Sequence, residues 1–264
     1  LKKAAIILTI IISIASIAAG KIYWDQKIEK QTASEELLAS SSAETDIQQP
    51  ENLENGSAPL TKNLPKAVKE AIVNAEKNQK SLNFVIFGSD TSGNNKNSWM
   101  SRFENNIKES YPAGLIQVKT ILIKDKTSKE VLNESLYENV VKASPDLVLV
   151  EPFLLEDNGK IGIENSLSNL TSILGNISND GSKPIIMIQP SYPLYNAVFY
   201  PKEVGKLKEY AKKEGYAYVD HWSSWPKGND PALKDYIEED GSGPSSKGHE
   251  VWAEHLSEYF ISKL

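Results

Sequence analysis

From Leu64 onward, short apolar runs alternate with stretches whose apolar residues recur three and four positions apart, and this alternation narrows the fold more than any other feature. Leu64-Pro65 leads into Ala67, Val68, Ala71, Ile72 and Ala75, a helical spacing with proline in the first turn, where its missing N–H is harmless. Leu82-Asn83-Phe84-Val85-Ile86-Phe87 then forms a nearly continuous apolar run stopped by Gly88, the mark of a buried strand. The spacing predicts further helices around Trp99 to Ile107, over 131–141, 163–177 and 204–211, and a closing helix over 248–264. Strands are predicted over 116–123, 147–150, 185–188 and 216–219. Strands apolar on both faces need helices on both faces, which implies a three-layer α/β/α, flavodoxin-like domain with a parallel sheet of about five strands.

In such a sheet, ligands bind beyond the carboxyl ends of the strands. The segments to weigh are therefore Gly88-Ser89-Asp90, the stretch 124–128, Glu151-Pro152-Phe153, 189–192 and Asp220-His221-Trp222, together with the loop 240–248.

The amino end reads differently. Lys2 and Lys3 precede an uncharged Ile- and Ala-rich run over residues 4–20, and Lys21, Tyr23 and Trp24 follow. Basic flanks and interfacial aromatics predict an uncleaved membrane anchor over 1–24, with the bulk of the chain extracytoplasmic. Cleavage at Ala18-Ala19-Gly20 would instead release a secreted protein. Residues 25–63 read as an acidic tether: between Asp25 and Leu60 eight acids face two lysines, which accounts for the whole net charge of −6. The rest is near neutral, so no nucleic-acid partner is expected. With no Cys in 264 residues, thiolate metal sites and lipoprotein anchoring are excluded. Nothing in the sequence sets an oligomeric state.

Phe84-Val85-Ile86-Phe87-Gly88-Ser89-Asp90, with Trp99 downstream, resembles the first block of the SGNH (GDSL-type) hydrolases. Asp240-Gly241-Ser242-Gly243-Pro244, followed by Gly248-His249-Glu250-Val251-Trp252-Ala253, resembles their last block, and Pro145 to Val150 and Tyr218-Val219-Asp220 resemble blocks between. The segments Glu-Pro-Phe, Asp-Asn-Gly, Asp-His-Trp and Gly-His-x-x-Trp-Ala are similar to a Gram-positive, membrane-anchored branch. The resemblance spans 82–264. It implies ester hydrolysis or acyl transfer: a Ser attacks the carbonyl, a His three residues after an Asp acts as base, and Ser N–H, Gly N–H and an Asn form the oxyanion hole.

This chain departs from that pattern at four roles. The nucleophile position holds Asp90, and Ser89 lies one residue early. The second-block Gly is replaced by Asp125 or Lys126. No Asn directly follows Val150, which leaves Asn158 as the candidate. The base position is Gly243, and Asp240 alone is plainly retained. A rebuilt site would therefore draw on Ser89, Asp90, Asn158, Asp240 and His221, the histidine that follows the fifth strand. His249, in the first turn of the closing helix, suits a structural role, and His255 a packed or surface one.

Two other features belong to the same edge. Tyr192, Tyr195, Trp222 and Trp225 follow strands four and five, where aromatic rings stack on sugar faces, although burial in the core is the usual fate of a Trp. Asp90, Asp125 and Asp240, with Asp157 nearby, would suit Ca²⁺ or Mg²⁺ if they converged; the plainer expectation is no cofactor, with Asp90 capping the following helix and Asp240 holding its loop. Two functions follow. One is an extracytoplasmic hydrolase-like protein acting on acyl or acetyl esters of cell-envelope polysaccharide or lipid. The other is a catalytically inactive relative that binds an envelope glycan or protein.

Overall fold

The computed structural model describes residues 56–90, 96–179 and 183–262. The expected anchor and most of the acidic stretch lie outside the described residues. Among those described, no helix is long and apolar enough to cross a membrane.

Five strands, β1 (Leu82–Ser89), β2 (Ile116–Ile123), β3 (Leu147–Val150), β4 (Ile185–Ile188) and β5 (Ala217–Tyr218), pair in parallel in the order β2-β1-β3-β4-β5. The helices are α1 (Lys66–Lys77), α2 (Trp99–Ser110), α3 (Ser128–Asn133), α4 (Glu138–Val141), α5 (Leu154–Asp157), α6 (Ile163–Ser178), α7 (Tyr200–Glu214) and α8 (Ser246–Phe260). Alternating side chains of β1 feed two cores. Phe84 and Ile86 pack with α1, α2 and α8 through Ile72, Phe103 and Phe260. Val85 and Phe87 face α3, α6 and α7 through Val131, Ile173 and Leu207. This is the predicted α/β/α sandwich.

The strand order reverses between β1 and β3. The connection leaving β1 runs through α2 on one face, and that leaving β3 runs through α6 on the other. Their carboxyl ends therefore border a crevice at the switch point, the place where open α/β sheets bind ligands.

Three local differences from the sequence expectation have physical causes. The helix expected over 131–141 is broken: Ser135 takes φ 53°, and the Leu136 N–H closes onto the Val131 carbonyl. Its first half starts earlier, at Ser128, because Thr127 and Glu130 form a reciprocal capping box. Residues 56–63, read as the end of the tether, instead pack on the domain. The Ser57 N–H donates to Glu76 at 2.9 Å, the Ser262 N–H donates to the Leu60 carbonyl at 2.8 Å, and Thr61 is fully buried.

Candidate functional site

At the switch point β1 ends in Gly88-Ser89 and β3 runs into Glu151. The Glu151 N–H donates to the Phe87 carbonyl at 2.8 Å, extending the β1–β3 ladder past the last strand residue. The backbones come so close that a Cβ on Gly88 would meet the Glu151 Cβ at 2.7 Å, so only glycine fits there. This approach lets the Ser89 hydroxyl donate to Glu151 Oε1 at 3.1 Å. Both side chains are sealed, at 1% and 2% exposure. Asp90, the next residue, is half-buried, with its Oδ1 enclosed and without a hydrogen-bond partner among the described residues.

Two tyrosines, one from the β4–α7 connection and one from the first turn of α7, feel the charge of Glu151. Tyr192 is buried and its hydroxyl donates to the Gly241 carbonyl at 3.0 Å, tying the 240 loop to the sheet edge. Burial, and then the negative charges of Glu151, Asp240 and Glu156, push its phenol up to about 12. Tyr200, at the start of α7, is fully buried, and its phenol is held far above the ordinary range by burial and then by Glu151. Gln189, also buried, accepts from the Trp252 indole N–H at 3.2 Å.

The other residues singled out from the sequence are held elsewhere. His221 is fully buried between Trp225 and Trp252, stacked on the latter at 4.2 Å. Its Nε2 pairs with the Pro190 carbonyl at 2.9 Å, so that nitrogen carries the proton. Its Nδ1 accepts from the Trp225 indole at 3.0 Å. Both ring nitrogens are thus engaged, and burial lowers the pKa to about 3. His249 is buried and accepts the Trp99 backbone N–H at 3.2 Å, the structural role its position suggested. His255 Nδ1 pairs with Ser224 Oγ at 2.8 Å. The Asn158 amide donates to Glu203 at 3.1 Å rather than to Ser89.

The carboxylates do not converge. Asp125 is exposed on a turn residue with φ 51°. Asp240 is exposed too; hydrogen bonds from the Ser242 side chain, and then from its N–H at 2.9 Å, lower its pKa. Asp157 is buried, accepting the Ser128 N–H at 2.8 Å and the Ser128 hydroxyl at 2.6 Å. Among the described residues no group of three His, Asp or Glu side chains is placed to hold a metal ion, so Asp90, Asp125 and Asp240 do not form the Ca²⁺ or Mg²⁺ cluster that their sequence positions allowed.

Of the four aromatics, Tyr192 and Trp225 are buried, whereas Tyr195 and Trp222 are half-buried. The Trp222 indole donates to the Ser191 carbonyl at 2.6 Å, and its ring meets Tyr200 edge-on. Sequence reasoning passed over Tyr200, and it placed Glu151 and Gln189 at the carboxyl edge without giving either a role. Glu151 and Gln189 each follow the last apolar residue of a four-residue strand, and that position was the signal available.

No family model matches the chain, and no curated protein matches it. Solved structures do match. A GDSL-like lipase from Bacteroides thetaiotaomicron superposes with a TM-score of 0.51 at 16% identity, over 74% of this chain and 97% of that one. An esterase from Pseudoalteromonas gives 0.54 at 15%, over 68% and 96%. An acetylxylan esterase from Geobacillus stearothermophilus gives 0.55 at 14%, over 68% and 94%. The fold is thus that of the GDSL/SGNH esterases, as the sequence blocks implied.

Proposed function

We propose that this domain is an SGNH-fold binding protein, displayed on the outer side of a membrane, that recognises an acetylated cell-envelope polysaccharide without hydrolysing it. The observation that carries this reading is the state of Ser89, the hydroxyl nearest the nucleophile position: it is 1% exposed and donates to a carboxylate. A nucleophile must come within about 3 Å of a carbonyl carbon and hand its proton to a base of suitable pKa. A sealed serine does not reach the carbonyl, and His221, His249 and His255 are each engaged elsewhere. The carboxyl edge of the sheet keeps recognition features: Tyr195 and Trp222 present half-buried rings on the segments that follow β4 and β5.

A second reading rests on the same hydrogen bond. Glu151 would act as the base for Ser89, taking its proton as Oγ attacks an ester carbonyl. Turnover of p-nitrophenyl acetate by the full chain separates the two. Binding without hydrolysis requires a rate at the uncatalysed background, together with retention on acetylated xylan that is lost after saponification of the polymer. Saturable turnover abolished by both Ser89→Ala and Glu151→Gln would overturn it in favour of the esterase. Equal retention on acetylated and saponified xylan would remove the acetyl group from the proposal.

A further inference from the structure

Among the described residues, the large apolar side chains left exposed are two neighbours, Val198 at 63% and Phe199 at 72%. They form the tip of the β4–α7 connection, at the carboxyl edge of the sheet. The backbone around them is fixed. The Asn196 N–H donates to the Gly228 carbonyl at 2.8 Å, and the next residue but three, Tyr200, is buried at the start of α7. The pair is therefore a presented wedge on a rigid base, outside both cores.

Three lysines stand on this loop and on the segments that contact it. Lys202 lies over the Phe199 ring at 5.8 Å, Lys234 over the Tyr195 ring at 4.6 Å, and Lys227 adjoins the Gly228 that anchors the loop. None of the three has a carboxylate partner among the described residues. The nearby acids are engaged internally: Asp230 accepts the Ala232 N–H, and Glu203 accepts the Asn158 amide. An exposed aromatic and aliphatic pair, with cations that lack a carboxylate partner on its own loop and on the segments that contact it, matches the chemistry of an anionic bilayer interface. An exposed pair of two residues is far smaller than the roughly 800 Å² per partner of a stable protein interface, which argues against a second copy.

We propose that the Val198–Phe199 loop docks on the headgroup region of an anionic membrane, with Phe199 as the apolar wedge and Lys202, Lys227 and Lys234 as the electrostatic contacts. The proposal is independent of whether the switch-point crevice binds an ester.

The chain contains no Cys, so single reporters are clean. Full-length Val198→Cys and Lys213→Cys, each carrying an environment-sensitive fluorophore, are reconstituted in phosphatidylcholine–phosphatidylglycerol vesicles with nitroxide lipid. Position 198 precedes α7 and position 213 lies in its last turn, roughly 20 Å away along the helix. The expected result is a blue shift and nitroxide quenching at 198 and neither at 213. Both signals should be lost in pure phosphatidylcholine, in Phe199→Asp, and in the combined Lys202→Glu, Lys227→Glu, Lys234→Glu variant. Each lysine near such a surface is worth roughly fivefold in partitioning, so the triple reversal is a severe test. Equal signals at 198 and 213, or a signal at 198 indifferent to these variants, would overturn the proposal. A blue shift at 198 that grows with protein concentration without lipid would assign the loop to a second copy instead.

Discussion

The Ser89 hydroxyl donates to Glu151 over 3.1 Å at the point where the strand order reverses, and both side chains are shut off from solvent. A carboxylate in that position acts on its surroundings through its charge. Tyr192 and Tyr200 both feel it, and for each it is the largest influence after burial.

Replacing Glu151 by Gln keeps an acceptor for Ser89 and removes the charge. A nearby negative charge disfavours the phenolate, so its loss moves the Tyr192 phenol downward from about 12. A ¹³C-tyrosine NMR titration, with Tyr192→Phe to assign the signal, measures the shift. A Tyr192 titration unchanged in Glu151→Gln would show that no charge resides there.

Gly88 and Gly175 make a matched pair of tests. A Cβ on Gly88 would strike Glu151 Cβ at 2.7 Å and the Glu151 carbonyl at 2.8 Å, whereas one on Gly175, inside α6, meets nothing within 4 Å. Gly88→Ala should destabilise the domain by about 1–3 kcal/mol through overpacking at the strand ends. Gly175→Ala should stabilise it by roughly 0.5–1 kcal/mol through helix propensity. Urea unfolding of both variants gives the two signs directly.

What was legible in the sequence follows from which interactions are local. β3 and β4 were readable to the residue because their apolar character is continuous and they are almost wholly buried. β2, a half-exposed edge strand broken by Gln117, Lys119 and Thr120, was readable from its β-branched Ile and Val residues. The break at Ser135 was not readable, because no Gly or Pro marks it and its left-handed conformation answers to packing on either side. Burial of Trp225 is the usual fate of a Trp, but that of Tyr192 was hidden: period says that an aromatic follows a strand, not whether the next loop folds over it. Gly241, 49 residues away, closes on Tyr192. For the same reason Glu151 looked like one loop acid among several until the β1–β3 register placed it beside Ser89.

Asp157 tests the difference between a structural and a ligand-binding carboxylate. It accepts both the N–H and the hydroxyl of Ser128, whose Oγ also accepts the Asn169 amide at 3.0 Å. Asp157→Ala leaves two buried donors without their acceptor, at a cost of about 2–4 kcal/mol. The loss of melting temperature should be the same with and without millimolar calcium, measured by differential scanning calorimetry. A calcium-dependent difference between wild type and variant would instead make Asp157 a ligand.

Acid stability should report the buried histidines. His221 is lowered to about 3 and His249 to about 4, in both cases first by burial, from an ordinary value of 6.5. Below pH 6.5 the unfolded chain takes up a proton at each position while the folded chain does not, so the unfolded state binds more protons. Stability is therefore full above about pH 6.5 and falls as the pH drops toward the folded values, by up to about 1.4 kcal/mol per pH unit for each histidine. His221→Gln forfeits the ring stacked on Trp252 and should be less stable at neutral pH. Its profile between about pH 5 and 6.5 should nonetheless be flatter than that of the wild type, because one of the protons that unfolding takes up is gone. Urea midpoints across this range, wild type against His221→Gln, measure the slope. An unchanged slope would mean that His221 already titrates normally in the folded protein, which its two engaged nitrogens and full burial forbid.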